Sequence, residues 1–259
     1  MEISKKREYS APALEKGFEI LELLAEEQKP MSLAQISTTL KRSKSELFRM
    51  LAALEKMGYL AKNEGSDFFH ITNRLFDLGL RVPPNGTLVE VAYPIMRELS
   101  AEILQSCHIA VESQNRMVVI AKLDNPSSVG FSVHLGHHLF LNESGSGHVL
   151  LAWKSEKSLN KSIEDLRALD NKFDEEQLLA SLEEIRAQGF ARIKSPIIQS
   201  LEDISFPIFL GGTKSVIATI TVPFLKGNKQ SPSISEAKVL IKSAAEKLSS
   251  ISLSYSGQL

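Results

Sequence analysis

Apolar positions in the first quarter of the chain recur with a helical period and then switch to short alternating runs. Leu14, Phe18, Leu21, Leu24 and Ala25 fall three and four apart, which predicts a helix that Lys29-Pro30 ends. Ser32, with Gln35 three residues on, has the form of a capping box and opens a short second helix. Lys41-Arg42 make a turn, and Ser43 caps a third helix with Glu46 at the boxed position. On that helix Leu47, Met50, Leu51, Leu54 and Met57 share one arc. Ser45, Phe48, Arg49, Ala52 and Lys56 take the other, with Lys44 on its edge. Gly58 suits the position after a helix end. Leu60–Lys62 and Phe68–Ile71 then read as strands around a glycine-containing loop, a hairpin. Three short helices followed by a hairpin is the order of a winged helix-turn-helix.

Beyond a short helix at Arg74–Leu80, Val82-Pro83-Pro84-Asn85-Gly86 is the clearest break in the chain. It predicts a DNA-binding domain over residues 1–82 that includes a polar N-terminal arm (Lys5, Lys6, Arg7), a linker at 83–87, and a second domain over 88–259. In the second domain, helices are expected at Leu88–Leu104, Gly145–Lys154, Ser158–Ala168, Asp174–Gln188 and Ser233–Ile251. Strands are expected at His108–Glu112, Met117–Leu123, Phe131–Val133, Phe190–Lys194, Ile204–Phe209 and Val216–Val222. Hairpin joins at Gln114-Asn115 and Gly211-Gly212 make the sheet antiparallel and the class α+β.

Composition narrows the function. The 259 residues are 43% hydrophobic and 24% charged, with a formal net charge of −1. The whole molecule therefore offers no attraction to nucleic acid, and a DNA-binding surface has to come from local segregation of charge. Segment 40–62 has that bias: Lys41, Arg42, Lys44, Arg49, Lys56 and Lys62 stand against Glu46 and Glu55. Arg49 can reach guanine acceptors or a phosphate, Ser45 a base edge, and Phe48 a thymine methyl. Lys44, Ser45 and the helix N-terminus suit phosphates, Lys62 in the wing and the Lys5-Lys6-Arg7 arm can add sequence-independent contacts, and Ser43 and Lys56 complete the expected DNA-binding set. Cys107 is a lone cysteine, which excludes an internal disulfide framework and fits a reducing, cytoplasmic setting. No apolar run approaches the ~18 residues that span a bilayer, so no membrane partner is expected.

These segments resemble the IclR family of bacterial transcriptional regulators. SLAQISTTLKRSKSELFRMLAALEKMGYL (residues 32–60) is similar to the family's helix-turn-helix, with Lys44-Ser45, Arg49, Leu51, Leu54 and Gly58-Tyr59-Leu60 matching in place. It departs at Lys41, where the family turn has Gly, and at Glu46, where it has Thr. LGHHLFLNESGSGHVLLAW (135–153), SPIIQSLEDISFPIF (195–209) and IATITVP (217–223) resemble the family's C-terminal half. The resemblance implies a GAF-like effector domain on a six-stranded antiparallel sheet. By position, its effector site would be Ser144, Gly145, Ser146, Asp203 and Thr221. Pro223 stands where some members have a second hydroxyl, and Ser200-Leu201 where the family has Gly-Val, so a different ligand chemistry is expected.

Read as residues, Ser144-Gly145-Ser146-Gly147 opens an apolar helix, whose free N–H groups make an anion site or simply a cap. Asp203 is expected beside a strand among apolar residues, where a carboxylate needs a partner, solvent or a ligand. His134, His137 and His138 match no zinc spacing and have no companion cysteine, so no metal or cofactor is expected. His108 and His70 are expected to be satisfied strand residues. No GxSxG elbow, P-loop or Rossmann fingerprint is present, which argues against an enzyme. The expected function is a metabolite-responsive regulator of a catabolic or metabolic operon. It would bind double-stranded operator DNA as a homodimer or homotetramer, with a small, carboxylate-bearing effector. The alternative is a metabolite-binding or catalytic α+β domain whose N-terminal helices serve only for association.

Overall fold

A computed structural model of the chain describes residues 10–63, 65–80, 85–127, 130–169, 173–195, 198–227 and 230–255. The Lys5-Lys6-Arg7 arm lies outside them. Two compact units divide the chain, Met1–Val82 and Pro83–Leu259.

Local punctuation builds the first unit. Helix α1 (Pro12–Glu27) starts with proline in its first turn and ends at Gln28, whose φ of 52° is left-handed and whose N–H closes on the Leu24 carbonyl at 3.2 Å. A two-residue strand β1 (Met31–Ser32) leads into α2 (Leu33–Thr39), and the capping box forms in full. The Ser32 Oγ accepts from the Gln35 N–H, and Gln35 Oε1 accepts from the Ser32 N–H at 2.8 Å. Helix α3 (Lys44–Lys56) is capped by Ser43 on the Glu46 N–H, but the second half of that box is missing because the Glu46 carboxylate pairs with Lys16 of α1. Strands β2 (Leu60–Lys62) and β3 (Phe68–Ile71) form the hairpin, and β1 adds to it in the order β1-β3-β2. Helix α4 (Arg74–Leu80) follows. Ile20, Leu24, Ile36, Leu47, Leu51, Leu60 and Phe69 close the core.

Two apolar expectations fail, at the end of α3 and along the first half of α1. Met57, expected inward, is the C-cap of α3 and is 55% exposed, because the chain turns away at Gly58 (φ 79°). Leu14 and Phe18, on the expected stripe of α1, are 62% and 52% exposed: the core ends at Ile20, and nothing among the described residues of this unit covers them.

In the second unit α5 (Asn85–Ile103) begins inside the expected linker, of which residues 83 and 84 lie outside the described residues. Strands β4 (Cys107–Ser113), β5 (Arg116–Leu123) and β6 (His138–Phe140) come next. Helices α6 (Gly145–Ala152), α7 (Glu156–Leu169) and α8 (Glu175–Gln188) follow. Strands β7 (Ala191–Lys194), β8 (Leu201–Phe209) and β9 (Val216–Leu225) and helix α9 (Ile234–Tyr255) complete the unit. The six strands run antiparallel in the order β6-β5-β4-β9-β8-β7. Gln114 and Asn115 both have positive φ (50° and 60°), the pairing a two-residue hairpin turn requires.

The expected strand at Phe131–Val133 does not form. The Phe131 carbonyl accepts from the Ser106 hydroxyl at 2.5 Å and Ser132 Oγ donates to Asp124 at 2.7 Å, which pins this segment as a loop. The chain then turns at Gly136 (φ 76°), and His138–Phe140 becomes the edge strand beside β5. Strand β8 begins three residues earlier than expected, so Asp203 lies within it rather than beside it.

The sheet is covered on both faces. Leu99, Ile103, Ile109, Ile220 and Ile241 pack between it and helices α5 and α9. Val149, Leu151, Leu166, Leu182 and Met117 fill the side beneath α6, α7 and α8. Helix α6 packs directly on β8 and β9 below and on α8 above, and all its apolar side chains are buried.

Candidate DNA interface and effector site

Around α3 the cations divide by what they touch. Those turned toward their own unit are paired there: Arg42 makes a bidentate bridge to Glu19 at 2.6 and 2.7 Å, and Lys16 holds Glu46. Arg42 holds the Glu19 carboxyl below the usual carboxylate range, and Lys16 does the same for Glu46. Glu46, the acidic departure from the family pattern, thus turns toward α1. Lys44, Arg49 and Lys56 are exposed and make no hydrogen bond or ion pair among the described residues. Ser45 and Ala52 are exposed beside them, and the Phe48 ring is 58% exposed. Ser43 Oγ, at the cap, lies 3.3 Å from Ser45 Oγ. Lys62, on the wing, sits 5.0 Å over the Phe69 ring and 3.6 Å from Glu55, so its charge is partly engaged. Lys41 occupies the turn with φ 53°, the conformation glycine adopts freely, at a cost of about 1 kcal/mol.

In the second unit, strand alternation places His108 of β4, Asp203 and Ser205 of β8, and Thr219 and Thr221 of β9 on the face that α6 covers. The intervening residues Ile109, Ile204, Ile220 and Val222 belong to the opposite, apolar core. Covered sheet faces are normally apolar, because an unpaired buried polar group costs free energy. Here the central strands carry hydroxyls, an imidazole and a carboxyl. The N-terminus of α6 meets this strip. Ser144 caps it on the Gly147 N–H at 3.1 Å, and a Cβ on Gly145 would come within 2.8 Å of Ser205 Oγ and 3.2 Å of Asp203 Cβ. Gly145 therefore lets α6 approach the strip. Ser146 Oγ is 2.8 Å from Thr221 Oγ1 and 3.5 Å from His108 Nε2, and the Thr221 hydroxyl donates to Ser205 Oγ at 2.8 Å.

Ser146, Thr221 and Gly145 thus meet at one place, with Asp203 behind Gly145, while the Ser144 side chain caps the helix. Burial pushes the Asp203 carboxyl up to about 6, and it makes no hydrogen bond or ion pair among the described residues. Burial and, next, His137 push His108 down to about 3, so its ring is neutral. Ser205 joins the cluster without having been singled out in the sequence, and His108 joins it although only a structural role was expected of it. Nor is His108 satisfied as expected: its Nδ1 is buried without a hydrogen-bond partner among the described residues, as is that of His70.

The remaining chemistry-bearing groups stay apart. His148 contacts the Asn142 carbonyl through Nε2 at 2.9 Å and Ser181 Oγ through Nδ1 at 3.1 Å, a structural histidine. Among the described residues no group of three His, Cys, Asp or Glu side chains is placed to hold a metal ion, the His134/His137/His138 segment included. Cys107 is buried, and desolvation pushes its thiol up to about 12, where it is unreactive. None of the described helices is long and apolar enough to cross a membrane.

Two family models match this arrangement: the IclR helix-turn-helix domain over residues 13–64 and the bacterial transcriptional regulator IclR C-terminal domain over residues 84–250. The HTH-type transcriptional regulator KdgR of Escherichia coli (strain K12) is 28% identical over 248 residues, covering 94% of each chain. The HTH-type transcriptional repressor AllR of Escherichia coli (strain K12) is 29% identical over 218 residues, 82% of this chain and 79% of that one. An IclR homolog from Microbacterium hydrocarbonoxydans, crystallised with 4-hydroxybenzoate, superposes with a TM-score of 0.78 at 19% identity, covering 94% of this chain and 99% of that one. An IclR regulator from Alicyclobacillus acidocaldarius superposes at 0.75 and 20% identity, covering 94% and 100%. At these identities the superpositions establish the fold alone.

Proposed function

Because the chain belongs to the IclR family of bacterial transcriptional regulators, we propose that it is a metabolite-responsive regulator of a catabolic or metabolic operon, acting in the cytoplasm as a homodimer or homotetramer. In this reading Ser43, Lys44, Ser45, Phe48, Arg49, Lys56 and Lys62 meet operator DNA. Ser144, Gly145, Ser146, Asp203 and Thr221 hold a small, carboxylate-bearing effector. The observation that carries it is the division of charge around α3: Arg42 in the preceding turn and Lys16 of α1 are paired within their unit, while Lys44 and Arg49 of α3 stand exposed, with no ion pair among the described residues, on the helix that bears the bare Phe48 ring.

One recognition helix reads too few base pairs for specificity, and two of them about 34 Å apart read one face of a duplex. Leu14, Phe18, Phe76 and Leu78, all at least half exposed on α1 and α4, supply apolar surface for pairing two copies. A carboxylate suits the effector site because the N–H groups at the N-terminus of α6 can donate to it. Effector binding would favour one placement of paired DNA-binding units over another. The 4-hydroxybenzoate held by the Microbacterium relative is a carboxylate of this general kind.

Mobility shift with DNA flanking the chain's own gene tests the reading. Affinity should fall steeply with salt, by about 0.9 log units per tenfold salt for each phosphate neutralised. Arg49→Ala should abolish preference for that DNA over random duplex while leaving the melting temperature unchanged. Equal affinity and preference in Arg49→Ala would remove α3 as the reading element.

A further inference from the structure

The second unit has another concave surface, away from α6. A cleft of about 610 Å³ lies between α9, the end of β8 and the junction of α8 with β7. Phe206 and Ala245, which line it, belong to the core shared with α9, on the opposite face of the sheet from Asp203 and Ser205. The cleft exists because β7 is short. That strand begins at Ala191, opposite Ser205, so Phe206–Phe209 of β8 continue with no strand beside them on that edge among the described residues. Phe190, just before β7, stacks on Phe206 with centroids 5.1 Å apart and planes at 11°. Phe209, beyond a bulge in β8, adds a third ring, and it and Phe190 are only half-buried.

The opposite wall is α9. Lys238, Lys242 and Glu246 follow one another four residues apart along one side of that helix, all exposed. Lys242 Nζ stands 3.8 Å from Glu246 Oε1. Lys238 Nζ lies 5.0 Å from the Phe190 ring centroid and makes no hydrogen bond or ion pair among the described residues. Two lysines and one glutamate leave the lining with a surplus of one positive charge. An added peptide strand does not suit the open edge, because Pro207 has no N–H and the Phe209 N–H donates to Ser249 Oγ at 3.0 Å. A small molecule does suit it, since ligand pockets have volumes of about 300–1,000 Å³ and apolar linings with a few polar groups.

We propose that this cleft is a second small-molecule site, which takes a two-ring aromatic monoanion with its rings against Phe190 and Phe209 and its carboxylate at Lys238. Aromatic rings attract one another through edge-to-face and offset stacking beyond the area they bury, which an alkyl chain does not match. Lys238 is the cation that no carboxylate already meets, and Glu246 opposes a second negative charge. The site requires neither the hydroxyl cluster under α6 nor any particular effector there.

2-Naphthoate is the probe, titrated to millimolar concentration into the full-length protein by calorimetry, beside 2-naphthamide, 2-naphthyl phosphate and decanoate. Naphthoate should bind, and the uncharged amide, the dianion and the alkyl acid should each bind at least about fivefold more weakly. Lys238→Met keeps the apolar stem and removes the charge. It should cost naphthoate a similar factor and erase its advantage over the amide, with the melting temperature unchanged. Val239→Glu, exposed in the same wall, sets a carboxylate in the cleft and should weaken naphthoate as well. Neither residue belongs to the proposed effector site, so naphthoate affinity unchanged in either variant places the ligand elsewhere and overturns the proposal. Decanoate or naphthyl phosphate binding as tightly as naphthoate overturns it too, by its ligand class. If naphthoate does not bind the parent protein the proposal falls, and a smaller sedimenting mass for Val239→Glu would then assign the cleft to a second copy of the chain.

Discussion

Asp203 offers the most direct test of how the polar strip is buried. Its carboxyl is raised from 3.8 to about 6 by desolvation under α6. In the unfolded chain it gives up its proton near 3.8, and in the folded protein near 6. Between those values the folded state holds more protons, so stability falls as pH rises through that window and levels off above it. Two units at 1.36 kcal/mol each set a ceiling of about 3 kcal/mol, and the carboxyl's partial access to solvent reduces the expected loss to about 2 kcal/mol. Asp203→Asn cannot ionise. It should therefore match the parent near pH 4, within the cost of the new amide, and exceed it by about 2 kcal/mol near pH 7. His108, His137 and His148 are shifted down by burial and push the other way, adding stability as pH rises. They act alike in both proteins, so the parent-minus-variant difference isolates Asp203. Trp153 is the single tryptophan, lies at the end of α6 against Phe209, and reports unfolding of this unit in urea. A difference curve that stays flat across the window would refute the buried placement of Asp203.

Two further perturbations probe separate contacts. A Cβ at Gly147 would lie 2.2 Å from the Leu141 carbonyl oxygen and 2.7 Å from its Cα, so Gly147→Ala must push α6 off the preceding loop; a loss of about 2 kcal/mol or more in Trp153-detected urea unfolding is expected, and unchanged stability would mean that this approach is not close. Phe48→Ala removes a ring that is 58% exposed, so the melting temperature should hold while operator affinity drops severalfold; a lower melting temperature with intact affinity would make Phe48 a packing residue.

The winged helix was legible because its signals are local. Ser32 with Gln35, Ser43, Gly58 and the glycine in the hairpin loop each settle their own few residues, and the structure uses each where it stands. Local signals do not say where a core ends. Leu14, Phe18 and Met57 carry the right period and lie beyond the last residue that packs, so periodicity alone turns them inward. Strand β1 is two residues long and exists only through its pairing with β3, which no pattern within β1 reveals. The misplaced strand at Phe131–Val133 is the converse. Its β-branched and aromatic residues suit a strand, and bonds to Ser106, distant in sequence, and to Asp124 hold it as a loop.

The effector cluster was harder to read for a different reason. Asp203-x-Ser205 and Thr219-x-Thr221 alternate with Ile204, Ile220 and Val222 in the period of a strand with one wet face. Read alone, that pattern places the polar residues in solvent, where they need no explanation. Helix α6 reverses the inference. Its second half, Val149–Ala152, is apolar all round and wholly buried, and it is covered by laying one face of the helix on the sheet and another on α8. The polar faces of β8 and β9 then become interior, together with His108 on β4. The signal therefore lies in a mismatch between elements: a helix opened by Ser-Gly-Ser-Gly whose second half is apolar all round, in a chain whose central strands have polar faces. Such a mismatch is costly in a domain that only has to fold. It is accounted for if the space between α6 and the strands is occupied, part of the time, by a ligand with complementary polar groups.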